Sequence, residues 1–192
     1  GPTGLATAQR RKVAGILDLA NVGAGTEVLE IGSGWGQLAI QAAERGALVH
    51  TITLSREQQS LARERIAAAL GADPVEVVFT GSGTEANNIG VRGLYDASGG
   101  GRVVSTPIEH PAVLEVVKSL GQTEWLPVGR DGVVSDLAAL DAPAAVAAVM
   151  WANNETGAIQ PVHEAVARAE AAGTPVHVDA VQAVGHIPVH FH

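Results

Sequence analysis

Two glycine-rich turns and one strand-end carboxylate are the residues in this sequence whose types and spacing could do chemistry. Val28-Leu29-Glu30-Ile31 runs directly into Gly32-Ser33-Gly34-Trp35-Gly36. Glycines at such a strand-to-helix turn let a ligand approach the backbone, and the following helix N-terminus offers N–H groups to a carboxylate or phosphate. The spacing is G-x-G-x-G rather than the dinucleotide fingerprint, and Thr51-Ile52-Thr53-Leu54-Ser55 stands where a ribose-binding acid would be expected. Tight strand–helix packing without any ligand would explain the same turn. Further on, Gly83-Thr84 opens a helix, so backbone N–H groups, the helix dipole and the Thr84 hydroxyl could hold a phosphate. Capping alone would also account for Thr84. His110, just before Pro111, could cap a helix or pack beside the proline. Asp179 ends the buried run Val176-His177-Val178, where a carboxylate usually has a partner. Asn153-Asn154-Glu155-Thr156-Gly157 has the composition of a turn.

The elements that must position these residues alternate regularly. Helical spacing of Val13, Ile16 and Leu17 predicts an opening helix over 6–19. Strands are expected at 27–31, 48–54, 75–80, 102–105, 124–127, 146–151 and 175–178. Helices are expected at 37–44, from Ser55 to about residue 70, at 84–95, 111–120 and 161–172, with a short one at 137–140. Ser55, with Gln58 three residues on, reads as a capping box. Such alternation predicts an α/β fold: a three-layer, Rossmann-like sandwich with a mostly parallel sheet of about seven strands and helices on both faces. A single domain over 1–192 is expected.

Composition narrows the function classes. The 192 residues are 46% hydrophobic and 17% charged, enough apolar material for a core. Aromatics are only 3%, so that core must be aliphatic. The net charge of −8, without a run of Lys or Arg, argues against nucleic-acid binding. No apolar run has membrane-span length, so no membrane is expected as a partner. The absence of cysteine removes disulfides, thiolate metal sites and a thiol nucleophile, and fits a cytoplasmic chain from recombinant expression. Gly1-Pro2 reads as a cleavage scar and His190-Phe191-His192 as a tail. An open edge at 123–128 or 75–80 leaves room for a homodimer or strand-exchanged oligomer.

The segment from about 8 to 66 resembles the S-adenosylmethionine-binding part of cyclopropane-fatty-acid synthases and related methyltransferases, through AQRRKV, VLEIGSGWGQLAIQAAERGALV and TITLSREQ. The resemblance implies that Glu30, Gly32, Ser33, Gly34, Thr53, Ser55 and Gln58 contact that cofactor. Ser33 stands where that family usually has Cys, and nothing after the family's second helix is found.

From about residue 68 to 189 the chain resembles the large domain of cysteine desulfurase-type pyridoxal-phosphate enzymes, through VVFTGSGTEANN, IEHPAVL, WANNETGAIQP and VHVDAVQAVGHIPV. This resemblance implies that Gly83 and Thr84 hold the cofactor's phosphate and His110 stacks on its ring. It gives Asp179 the pyridinium nitrogen, and Asn154 and Gln182 the phenolic oxygen. Thr80-Gly81-Ser82-Gly83-Thr84 departs from the family's usual T-S-G-G-T or T-S-G-A-T. The Schiff-base lysine of that family follows the VDAVQ segment on a later strand, whereas the lysines here are Lys12 and Lys118.

Joined inside residues 62–70, the two resemblances predict a recombined chimera without a complete active site. Such a chain would be no enzyme but a folding scaffold. The alternative is a noncovalent binder of S-adenosylmethionine or pyridoxal phosphate. The expected sheet order puts 75–80 at one edge, then 48–54, 27–31, 175–178, 146–151, 102–105 and 124–127.

Overall fold

The computed structural model describes residues 2–53 and 55–191. Leu54, at the end of the expected strand 48–54, lies outside them, as do Gly1 of the expected scar and His192 of the expected tail. The chain divides into two compact units, the first reaching to Val77 and including Phe191, the second spanning Val78–His190.

In the first unit, α1 (Pro2–Leu19) and α2 (Gln37–Glu44) accompany β1 (Glu27–Ile31) and β2 (Leu48–Ile52), which pair in parallel. One face of this pair carries Val28 and Val49, packed with Val13, Leu38 and the buried Leu17, Ala42 and Ala47. Period-two alternation puts Leu29, Ile31, Leu48 and Ile52 on the other face, where all four are exposed. Helix α3 (Arg56–Leu70) begins at the Ser55 cap, whose hydroxyl accepts from Gln58 N at 3.2 Å. It ends at Gly71, whose φ of 69° is left-handed.

The second unit is built on a four-stranded parallel sheet in the order β4 (Thr123–Trp125), β3 (Val103–Ser105), β5 (Val146–Met150), β6 (Val176–Asp179). Every residue of β5 is buried, as expected of a central parallel strand covered on both faces. Val146 and Ala148 pack with Val91 of α4 (Gly83–Ala97) and with Val113, Val116 and Val117 of α5 (Pro111–Ser119). Ala147 and Val149 face the other way, onto Val162, Ala165 and Ala169 in and beside α6 (Val162–Ala171). This unit is therefore the expected three-layer arrangement, and its strand order is the one expected for these four strands.

The single sheet of about seven strands is corrected to six strands in two sheets among the described residues. The expected strand 75–80 is the missing one. Its first residues form a short 3-10 turn, Pro74–Glu76, because local capping overrides β propensity there. Glu76 Oε2 accepts the Asp73 N–H at 2.7 Å, and Pro74 sets the first turn. Without a ladder at 75–80, the proposed succession of seven strands has no starting edge. The short helix expected at 137–140 is likewise a 3-10 turn, Ala138–Asp141.

No helix among the described residues is long and apolar enough to cross a membrane. One core residue gives a direct stability test. Ser105 is fully buried in β3, and its Oγ has no hydrogen-bond partner among the described residues. Burying an unpaired hydroxyl is costly, so Ser105→Ala is expected to leave stability unchanged or raise it by about 1 kcal/mol, read from urea unfolding midpoints.

Candidate functional site

Strands β5 and β6 of the second unit deliver their C-terminal ends to one cavity of about 260 Å³. This is where open parallel sheets place ligands, beyond the carboxyl ends of the strands. Met150 ends β5 and Asp179 ends β6, and both line it. The helix starts contribute Gly83, Thr84 and Asn87 from α4 and His110 from the cap of α5, and the segments after β5 and β6 contribute Asn154 and Gln182.

The phosphate-type corner is made by the α4 N-terminus. Its cap is Ser82, not Thr84: Ser82 Oγ accepts from Glu85 N at 3.1 Å, and Gly83 and Thr84 occupy the first turn. Thr84 is thereby released from capping and lines the cavity. The swapped order Gly81-Ser82 has a local consequence, since the Glu85 carboxylate folds back to accept the Gly81 N–H at 2.6 Å. Gly83 and Thr84 N–H have no acceptor among the described residues, as expected for the orphan donors of a first helical turn.

His110 takes the capping role that its sequence position allowed and also lines the cavity. Its Nδ1 accepts from Ala112 N at 3.1 Å, capping α5, while the ring lines the cavity. Accepting at Nδ1 leaves the proton of the neutral ring on Nε2. The turn 153–157 separates its two asparagines. Asn153 Oδ1 accepts from Glu155 N, Thr156 N and Thr156 Oγ1 at 3.0, 2.9 and 3.1 Å, and its amide donates to Ile108 O at 3.1 Å. Turn chemistry is thus the work of Asn153, and Asn154 is left to line the cavity with Gln182.

Asp179 is held on both oxygens. Oδ2 accepts from Asn87 Nδ2 at 2.9 Å and Oδ1 from Val181 N at 3.1 Å. The two N–H donors fix the plane of the carboxylate. Behind the site lies Glu109, 4% exposed, its Oε1 accepting from Thr106 Oγ1 and Met150 N, each at 2.7 Å. Its Oε2 is buried without a partner among the described residues. Burial pushes this carboxyl up to about 7 against the two hydrogen bonds, and the Asp179 charge adds to the rise.

All six residues of the second expected set (Gly83, Thr84, His110, Asn154, Asp179, Gln182) therefore meet in one cavity. Asn87 and Glu109 had been passed over, although both sit inside the quoted motifs. The signal for Asn87 was its spacing: one turn beyond Gly83 and Thr84, it shares their face of α4. Pyridoxal phosphate, the cofactor implied by the second resemblance, requires anion-binding N–H groups and a carboxylate for its ring nitrogen. The unpaired N–H groups of Gly83 and Thr84 and the doubly held Asp179 supply both, so the residues present fit it.

The first expected set belongs to the other unit, and its polar groups are largely engaged with one another. Thr53 Oγ1 donates to Gln58 Oε1 at 2.7 Å and accepts from Ser55 N at 3.1 Å. Ser55 Oγ donates to Glu57 Oε2, and Glu30 Oε2 accepts from its cross-strand partner Thr51, each at 2.8 Å. The N–H groups of Gly32 and Ser33 both point at Ile52 O, at 2.8 and 3.1 Å. Gly32, Gly34 and Gly36 have φ of 85°, 51° and 79°, so the turn itself needs these glycines.

Comparisons with known proteins bear on the second set. The chain is 43% identical over 152 residues to the IscS-like cysteine desulfurase of Mycobacterium tuberculosis, covering 71% of this chain and 39% of that protein. It is 45% identical over 137 residues to a cysteine desulfurase of Nostoc sp., covering 67% and 34%. A solved NifS-like protein superposes with a TM-score of 0.64 at 36% identity, covering 69% of this chain and 39% of that one. The chain thus spans less than two fifths of the length of these relatives. These likenesses overturn the reading as a recombined, inert scaffold, and they give no support to a methyltransferase segment or to S-adenosylmethionine. The match to the family described as Aminotransferase class-V runs over residues 39–192, taking in α2, β2 and α3, which had been assigned to the methyltransferase-like piece. With four-fifths of its length inside that match, the chain belongs to the class-V aminotransferase family.

Proposed function

We propose that this chain binds pyridoxal 5′-phosphate noncovalently in the cavity at the ends of β5 and β6, as the cofactor-holding portion of a cysteine desulfurase-type protein. The observation that carries the reading is the convergence of six residues, separated by up to 99 positions in sequence, on one cavity that has Asp179 hydrogen-bonded on both oxygens in its wall. Gly83 and Thr84 receive the phosphate, His110 lies against the ring, and Asn154 and Gln182 meet the phenolic oxygen. Asp179 pairs with the ring nitrogen and keeps its proton in place. When bound, the cofactor supplies an electron sink for bonds breaking beside an amino group. Neither Lys12 nor Lys118 lines the cavity, which is why the binding proposed for these residues is noncovalent.

Absorbance titration with pyridoxal phosphate tests this in a Lys12→Arg, Lys118→Arg background, which removes reaction with the side-chain amines. A saturable change is expected, with affinity at least about tenfold weaker in Asp179→Ala, a loss of one charge-assisted contact. An unsaturable trace, or one indifferent to Asp179→Ala, would reject the reading.

A further inference from the structure

Asp179 is the front of a longer chain of contacts. Behind it, Asn87 is 6% exposed and places its Oδ1 2.9 Å from His177 Nε2. The three side chains share one geometry. His177 and Asp179 are two apart on β6, so both project from the same face of the strand, toward α4. Asn87 is one turn inside α4 and reaches that face.

The chemistry of the front residue fixes the rest in order. An ionised carboxylate only accepts, so Asn87 must turn its NH2 toward Asp179. Its carbonyl oxygen then faces His177 and requires a donor, which makes Nε2 the protonated nitrogen of that imidazole. Burial holds the His177 pKa below its ordinary value, partly offset by the Asp179 charge, so the ring is neutral and its Nδ1 bare. Nδ1 faces Gly90, one turn beyond Asn87. A Cβ at Gly90 would stand 2.7 Å from Nδ1 and 3.0 Å from Cε1, so the missing side chain is what admits the ring.

We infer that His177 and Asn87 are positioning residues that fix the Asp179 carboxylate and keep it turned toward a protonated heteroaromatic nitrogen, making the cavity selective for a pyridinium over an isosteric ring without nitrogen. The inference rests on the binding proposed above and extends it to two residues that do not touch the cofactor's reacting atoms. A merely structural tie between α4 and β6 would stabilise the unit but would not set ring selectivity.

The experiment uses the whole chain and two probes, pyridoxal phosphate and its deaza analogue, in which a ring carbon replaces the nitrogen. The unsubstituted chain is expected to prefer pyridoxal phosphate, and Asn87→Leu and His177→Leu to reduce that preference about tenfold; in His177→Leu, whose side chain does not line the cavity, affinity for the deaza analogue should change little. His177→Gln, whose amide can still donate to Asn87, is expected to restore most of it. Circular dichroism identifies any variant that fails to fold, and the remaining one then carries the test. Equal preference in all folded variants would overturn the inference while leaving the binding proposal standing. Failure of the unsubstituted chain to bind either probe would sink the binding proposal instead. Independently of any cofactor, 15N imidazole shifts should report His177 as the Nε2–H tautomer, and the Nδ1–H tautomer would overturn the arrangement outright.

Discussion

Raising the pH from about 4 to about 8 is expected to remove ~3 kcal/mol of stability through Glu109 alone, because its folded value near 7 lies well above the unfolded 4.5 and each tenfold in proton affinity is worth about 1.4 kcal/mol. The sign follows from the direction of the shift. The folded protein holds this carboxyl near 7, whereas the unfolded chain releases its proton near 4.5, so folding takes up a proton between those values. The contribution is fully present below about pH 4.5 and is lost as the pH rises through about 7. Desolvation dominates because Oε1 meets two donors while Oε2, the oxygen free to carry the proton, meets none among the described residues. Glu109→Gln keeps an acceptor for Thr106 and Met150 N but has no charge to bury. Its urea-unfolding stability should match the unsubstituted chain at about pH 4 and exceed it at about pH 8 by up to ~3 kcal/mol. Two profiles that run parallel across this window would dispose of the idea.

Glu109 also shows where sequence reasoning stops. In Ile108-Glu109-His110 it reads as an ordinary polar residue before a helix. Nothing local says that its Oε1 will meet a backbone N–H 41 residues away, at the end of β5. Gly83, Thr84, His110, Asn154 and Asp179 each carry a local signal (a glycine or proline beside a helix start, an Asn-rich turn, a polar residue closing an apolar run), whereas Gln182 was legible only through the resemblance to cysteine desulfurase-type enzymes. The β5 and β6 strands were legible for the same reason, as apolar runs with turns on both sides. Residues 75–80 were misread because β-branched and aromatic residues favour a strand only where a neighbouring strand is available. Asp73, Pro74 and Glu76 offered a local 3-10 alternative that needed none. Thr84 looked like a cap because it precedes a helical pattern, but Ser82 is the residue whose oxygen reaches Glu85 N.

The origin of the chain was misread for a different reason. Short motifs around Gly32–Gly36 and Thr53–Gln58 were taken as ligand contacts, yet such residues are equally the vocabulary of strand–helix turns and helix caps. Thr53, Ser55 and Gln58 illustrate this, each satisfying another's hydrogen bond. The likeness over residues 39–192 tested the sequence at a length where capping vocabulary alone cannot account for a match.

Trp151→Ala is expected to cost the most of any single change considered, about 3–5 kcal/mol, the usual range for removing a large aromatic from a core. Trp151 is 7% exposed and belongs to the cluster on the α6 side of the sheet. Its indole meets the His163 ring edge-on, with centroids 5.3 Å apart and planes at 89°. Its backbone links the core to the cavity: the Trp151 N–H donates to the Asp179 carbonyl at 2.8 Å, and its own carbonyl accepts from Gln160 N at 2.8 Å. Truncation leaves those backbone bonds intact but empties the volume that keeps β5 and β6 in register at the point where Asp179 is presented. Trp151→Phe refills most of that volume and should lose under about 1.5 kcal/mol. Urea unfolding of both variants, at unchanged denaturant slope, separates the two costs. A loss below about 1 kcal/mol in Trp151→Ala would mean that the neighbouring aliphatic side chains collapse into the gap, and that the indole does not support the wall carrying Asp179.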